Sequence, residues 1–212
     1  MNPAAITTWK KLISITFITG GVLLGFTDLF HTATGTQIYL FHSDILMIDR
    51  FRWPWYLPVQ MGMIAVMIVT SWTVVFTRAI HPAIQLPESD DTHPLGTLLP
   101  VFSIAMVIIG FALGYLTLGW EHHLSLYISL YVLSLIYMAF SFSRYYLLAF
   151  LFIGVSGPLA EWFLLAPSVG YYEFVQKDLF GRVPGWQLFA YGWGGVFFHW
   201  LSAGVRNRYA RA

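Results

Sequence analysis

Six long apolar stretches, separated by charged residues, leave this chain almost one kind of solution. They run from Leu12 to Thr27, Trp53 to Thr77, Leu95 to Trp120, Leu124 to Ser143, Tyr145 to Ala166 (interrupted by Glu161) and Val183 to Val205. A helix crosses the hydrocarbon core of a bilayer in about 20 apolar residues, within a range near 17 to 25. Five of the stretches meet that length directly, and the first reaches it by recruiting Asp28 to Phe30. Backbone exposed to lipid must satisfy its own polar groups, so only helices and closed barrels span a membrane. The alternating segments of about ten residues that mark a barrel are missing. The expected fold is all-α: a polytopic membrane protein, one bundle of six transmembrane helices occupying residues 1–212 as a single domain.

Composition agrees. Apolar residues make up 58% of the chain and charged residues 10%, against roughly 25% charged in soluble domains, and mean hydropathy is +0.67. A net charge of +1 provides no basic surface for a phosphate backbone, so no nucleic-acid partner is expected. The absence of cysteine removes disulfides, thiolate metal sites, a Cys nucleophile and an S-palmitoyl anchor. Lys10 and Lys11 precede the first apolar run, but no small-x-small pair follows it, so a retained helix is expected rather than a cleaved leader.

Lys and Arg set the expected orientation. Both termini and the loops after the second and fourth stretches carry seven: Lys10, Lys11, Arg78, Arg144, Arg206, Arg208 and Arg211. The opposite side carries four: Arg50, Arg52, Lys177 and Arg182. Cytoplasmic termini follow, in a bacterial inner membrane for a prokaryotic chain or the endoplasmic reticulum for a eukaryotic one. The proline-bracketed stretch Pro87 to Pro94 reads as a solvated cytoplasmic loop.

The two ends of the chain echo one another. Asp28, Tyr39, Arg52, Pro54 and Gly62 match Glu161, Tyr172, Arg182, Pro184 and Gly192. The acid-to-tyrosine interval is 11 in both and the proline-to-glycine interval is 8 in both, while the tyrosine-to-arginine interval is 13 against 10. The stretches involved run in the same directions, so a parallel repeat is geometrically allowed.

Charged groups within membrane segments are costly and therefore candidates for function. Asp28 and Glu161 lie toward the non-cytoplasmic ends of their stretches, level with the hairpin Glu121-His122-His123, and His31 shares a helix face with Asp28 if the first helix extends so far. Asp28, Glu121, His122 and Glu161, with Tyr172 at the rim, are expected to line one cavity and bind a ligand. Interfacial caps wetted by headgroup water are the competing interpretation. No metal site and no cofactor are expected: four of the seven histidines face one side and three the other, which argues against a di-iron centre. Gly154-Val155-Ser156-Gly157 with His199 has the look of an intramembrane serine protease, but Ser156 and His199 fall at different depths and small residues also serve close helix packing. The glycines of the first, third and last stretches (Gly21, Gly25, Gly110, Gly114, Gly192, Gly194, Gly195) suggest packing faces, some expected to join protomers in a homo-oligomer. Trp53, Trp55, Tyr56, Trp120, Tyr171, Tyr172 and Trp186 read as an aromatic belt.

The most distinctive run is Gly157-Pro158-Leu159-Ala160-Glu161, then Gly170-Tyr171-Tyr172-Glu173-Phe174, then Phe180-Gly181-Arg182-Val183-Pro184-Gly185-Trp186. It reads as a helix exit, an aromatic loop and a proline-led start of the last helix. This resembles the Insig (insulin-induced gene) family of six-helix membrane proteins. The turn Phe140-Ser141-Phe142-Ser143-Arg144 is similar to the family's turn but has Ser141 where the family carries an acid. In eukaryotic members that acid supports the interaction with Scap, so the resemblance does not extend to that partner and fits a prokaryotic-type homologue. It implies a non-catalytic bundle that binds a lipid (a sterol, an isoprenoid or a diacylglycerol-like molecule) in a membrane-open cavity. The alternative is an intramembrane enzyme of carotenoid or terpenoid metabolism, of cyclase or hydratase type. There Asp28 or Glu161 would act as general acid, since an apolar site favours the protonated carboxyl.

Overall fold

A computed structural model of the chain describes residues 3–34, 37–39, 47–48, 53–54, 56–75, 98–165 and 172–209. Among the described residues six helices carry the architecture: α1 (Pro3–Thr34), α2 (Leu57–Val75), α3 (Leu99–Leu116), α4 (His123–Ser141), α5 (Arg144–Leu164) and α6 (Trp186–Tyr209). The first helix does extend past Phe30, carrying Asp28 and His31 with it. The proline-bracketed stretch from Pro87 to Pro94 lies outside the described residues, as do Trp55 and Tyr171.

The outward faces identify the solvent. On α1, Ile18, Val22 and Phe26 repeat every fourth residue and are each about two-thirds exposed; on α2, Val59, Met63 and Met67 repeat at the same spacing and are exposed by about half or more. Such continuous apolar stripes on a bundle exterior belong against lipid. The first five helices are each long and apolar enough to cross a membrane. The last is less apolar because it does not face lipid. It packs against all five others, and Trp193, Val196, His199 and Ser202 are each at most 1% exposed. Surrounded by protein, α6 can carry Gln187, His199 and Ser202 without meeting hydrocarbon.

Small residues set the helix contacts. A Cβ on Gly110 would press on Ala190 and Phe189, and one on Gly114 would strike the Trp186 indole, so the α3 glycines serve the α3–α6 contact. Gly21 lies against the Pro58 carbonyl, Gly25 against Pro58, and Gly192 and Gly195 against Phe150, Ala149 and Ile153. These faces are used inside one protomer, which corrects the expectation that their surplus joins protomers. On α6 only Gly194 and Gly204 have open space where a Cβ would stand.

The internal repeat is real in the packing. Gly21 of α1 meets the Pro58 carbonyl and Gly62 of α2; Gly154 of α5 meets the Leu188 carbonyl and Gly192 of α6. Gly62 is filled by the Phe17 ring and Gly192 by the Phe150 ring. Each of these contacts connects positions that the sequence intervals make equivalent. The α1–α2 hairpin and the α5–α6 hairpin are thus packed in one register. They are tied by a short antiparallel pairing of β1 (Gln37–Tyr39) with β4 (Tyr172–Phe174), in which Tyr39 stands opposite Tyr172. These two tyrosines are each other's equivalents, so a local two-fold passes between them. A second two-stranded piece joins β2 (Met47–Ile48) and β3 (Trp53–Pro54). No strand was expected from the sequence, where β1, β2 and β4 read as loop and Trp53–Pro54 as the start of the second apolar stretch. α5 also continues through Pro158 to Leu164 rather than ending there, losing one backbone bond beside the site.

Candidate functional site

A cavity of about 360 Å³ lies between the two equivalent hairpins. Its walls repeat the symmetry of the packing. Leu24, Thr27 and Asp28 of α1 face Gly157, Ala160 and Glu161 of α5, and Met61, Ile64 and Ile68 of α2 face Tyr191, Gly194 and Phe198 of α6. Each residue in the first set is the repeat equivalent of its counterpart. The two acids line one space because they occupy the same position in two copies of one hairpin.

Helix α1 packs along α6. Helices α2 and α5 approach each other where Trp72 sits among Tyr145, Ala149 and Ile153. Between there and the two acids they flank the cavity, whose lining includes Met67 and Ser71 of α2 and Phe152 and Ala160 of α5, all exposed on the bundle exterior. The cavity therefore opens sideways between α2 and α5, at hydrocarbon depth.

The polar groups gather at one end. Asp28 is 5% exposed and accepts a 3.0 Å hydrogen bond from Gln37 Nε2, which β1 delivers from beyond the end of α1. Glu161, partly buried, accepts from the Tyr191 hydroxyl at 2.6 Å on Oε1 and from the Tyr172 hydroxyl on Oε2. His31 stacks on Trp186 with ring centroids 4.7 Å apart and receives the edge of Phe111 at 4.6 Å. Trp186, expected as an interfacial anchor, is instead 2% exposed and part of the cavity wall. Tyr172 is likewise turned inward onto Glu161.

Of the residues singled out from the sequence, Asp28 and Glu161 share the cavity, and Tyr172 holds Glu161 from just outside the lining. Glu121 and His122 do not join them. Glu121 is exposed at the tip of the α3–α4 hairpin, and His122, also exposed, occupies the N-cap position of α4 without a side-chain cap bond. Neither lines the cavity. Their neighbour His123 makes the contact instead: Nε2 lies 2.6 Å from Asp178 Oδ1, and Asp178 Oδ2 accepts the Gly185 N–H at 2.9 Å. That pair fastens the β4–α6 loop over the hairpin. Sequence reasoning passed over Gln37, Tyr191 and Gln187. The repeat intervals could have flagged Tyr191, the equivalent of Met61.

The protease-like arrangement is not formed. Ser156 faces the cavity, whereas His199 accepts a 3.1 Å hydrogen bond from Trp72 Nε1 and is enclosed by the rings of Tyr145 and Tyr146.

Among solved structures, the chain is similar to a mycobacterial Insig homologue, MvINS from Mycobacterium vanbaalenii. The match has 18% sequence identity and a TM-score of 0.63, over 92% of this chain and 95% of that one. A cross-linked trimer of an MvINS cysteine variant matches at 18% identity and a TM-score of 0.65, over 93% and 96%. The chain has an Insig-like fold. No protein-family model and no curated protein matches the sequence, so the likeness is carried by the fold over nearly the whole chain. The Insig-like fold is the one that the resemblance of the Gly-Tyr-Tyr and Val-Pro-Gly-Trp run implied, and it agrees with the six helices read from the apolar stretches.

Proposed function

We propose that this Insig-like protein is a non-catalytic lipid-binding protein, holding a sterol, isoprenoid or diacylglycerol-like molecule in the cavity between its two hairpins. The observation that carries this reading is the sideways opening between α2 and α5. A water-soluble ligand would have to cross hydrocarbon to reach it, whereas a lipid enters from its own phase. Size and chemistry support the same reading. Ligand sites are typically apolar clefts of about 300 to 1,000 Å³ with few polar groups that fix orientation. Here the apolar walls are set by Met61, Ile64, Ile68 and Phe198, and the polar end by Asp28, Gln37, Glu161 and Tyr191. The protein functions with its termini in the cytoplasm and as a homo-oligomer, for which the trimer of the structural neighbour is the precedent.

Lipid extraction and mass spectrometry of the purified protein test the proposal. The wild-type protein is expected to carry one lipid species enriched over the surrounding membrane, and Ser156→Phe, which fills the cavity, to lose it. A lipid profile matching the bulk membrane in both proteins would contradict lipid binding.

A further inference from the structure

Resting on the lipid-binding reading above, we infer that the cavity selects its lipid by the charge of the head. It takes heads that donate hydrogen bonds, cationic amines ahead of neutral alcohols, and refuses anionic ones.

Three features lead there. Among the described residues, the lining contains two carboxylic side chains, Asp28 and Glu161, and no Lys or Arg. Cations described elsewhere on the same side are engaged with other groups: Lys177 Nζ lies 2.8 Å from Glu173, and the Arg182 guanidinium stands 4.8 Å from the centre of the Trp162 ring. The strongest protein donors near the acids are turned onto the acids themselves. Gln37 donates to Asp28, and Tyr191 and Tyr172 donate to Glu161. A phosphate or carboxylate head would therefore present acceptors to acceptors.

Placement sharpens the preference. Because the acids are equivalent across the local two-fold, a head group on that pseudo-axis faces both. Each oxygen of Glu161 receives one tyrosine hydroxyl, and a carboxylate oxygen has two lone-pair sites, which leaves capacity for a ligand donor on each. In a low-dielectric site a carboxyl ionises only when an opposite charge accompanies it, so an ammonium head pairs with the ionised acids whereas an anionic head beside them is strongly disfavoured.

The test uses three amphiphiles with one tail and different heads: dodecylamine, dodecanol and dodecanoate. Retention of each radiolabelled compound is measured on wild-type protein in phosphatidylcholine nanodiscs, relative to empty nanodiscs. The amine is expected to bind most tightly, the alcohol next, and dodecanoate more than about tenfold more weakly than the amine. In the double variant Asp28→Asn with Glu161→Gln, the amine should lose its advantage over the alcohol. The order among the three on wild-type protein stands by itself if the double variant fails to fold. Equal retention of all three, or preference for dodecanoate, would overturn the charge selection while leaving lipid binding intact. Retention of none would overturn both.

Discussion

Tyr191 on α6 donates its phenolic proton to Oε1 of Glu161 on α5 across 2.6 Å. The bond fixes the acid against the cavity and couples the two helices of the second hairpin at the level of the site. A buried acceptor stripped of a donor costs about 1 to 3 kcal/mol, so Tyr191→Phe should lower stability by that amount. Tyr172→Phe should do the same from the other oxygen. Thermal unfolding in nanodiscs of the single and double variants checks this. The double variant should fall short of additivity, because both tyrosines act on one carboxylate.

The equivalence of the two hairpins makes a paired prediction. Gly21→Leu and Gly154→Leu insert side chains at corresponding helix contacts, the first within 2.7 Å of the Pro58 carbonyl oxygen and the second within 3.2 Å of that of Leu188. Both should destabilise by about 1 to 3 kcal/mol or more, as overpacking does. Gly204 has open space around it, so Gly204→Ala should be neutral or stabilising by up to about 1 kcal/mol, the helix-propensity gain. Melting temperatures of the three variants, compared in one detergent, separate the two cases.

How much of this was legible in the sequence follows from what a bilayer enforces. Lipid demands helices of a set length, so the six spans could be read from charge spacing alone. Position along a helix was equally legible, and it placed Asp28 and Glu161 at one level. Position around the bundle was not: Glu121 and His122 are exposed and outside the cavity, because segment counting carries no azimuth. Gln37 escaped notice because it reaches Asp28 only after β1 folds back against β4. The glycine faces were visible as packing surfaces, but a small-residue stripe reads the same whether its partner helix lies in the same chain or another. The repeat was the richest signal. Its intervals of 11 and 8 residues already related Asp28 to Glu161, and the same spacing carries Met61 onto Tyr191.

Asp178 bridges the ring of His123 and the amide of Gly185, and so ties the loop before α6 to the α3–α4 hairpin. Asp178→Ala removes both bonds. It should cost about 1 to 3 kcal/mol and speed amide exchange at Gly185 more than at Ala190, deeper in α6. Hydrogen exchange followed by mass spectrometry resolves the two segments. Equal exchange at both in the variant and the wild type would show that the loop is held by other contacts.

The indole of Trp72 donates to His199 where α2 meets α6, behind the lining residues Phe152 and Ile153. Trp72→Phe keeps most of the ring volume but removes the donor, and should destabilise by about 1 kcal/mol or slightly more. Lipid retention should be unchanged, since neither residue lines the cavity. Loss of lipid with stability preserved would place the binding region further along α2 than the acids indicate.

The central claim is that a lipid occupies the space between the two hairpins, and photo-crosslinking tests it most directly. A dodecanol analogue bearing a diazirine on its tail would be irradiated with the nanodisc-embedded protein, with and without excess unlabelled dodecanol, and the labelled residues mapped by mass spectrometry. The expected result is saturable labelling of Met61, Ile64 and Ile68 within the cavity, alongside labelling of Ile18, Val22 and Phe26 on the outer stripe that the competitor does not reduce. Labelling confined to the outer stripe, or labelling of cavity residues that excess dodecanol leaves unchanged, would contradict the claim.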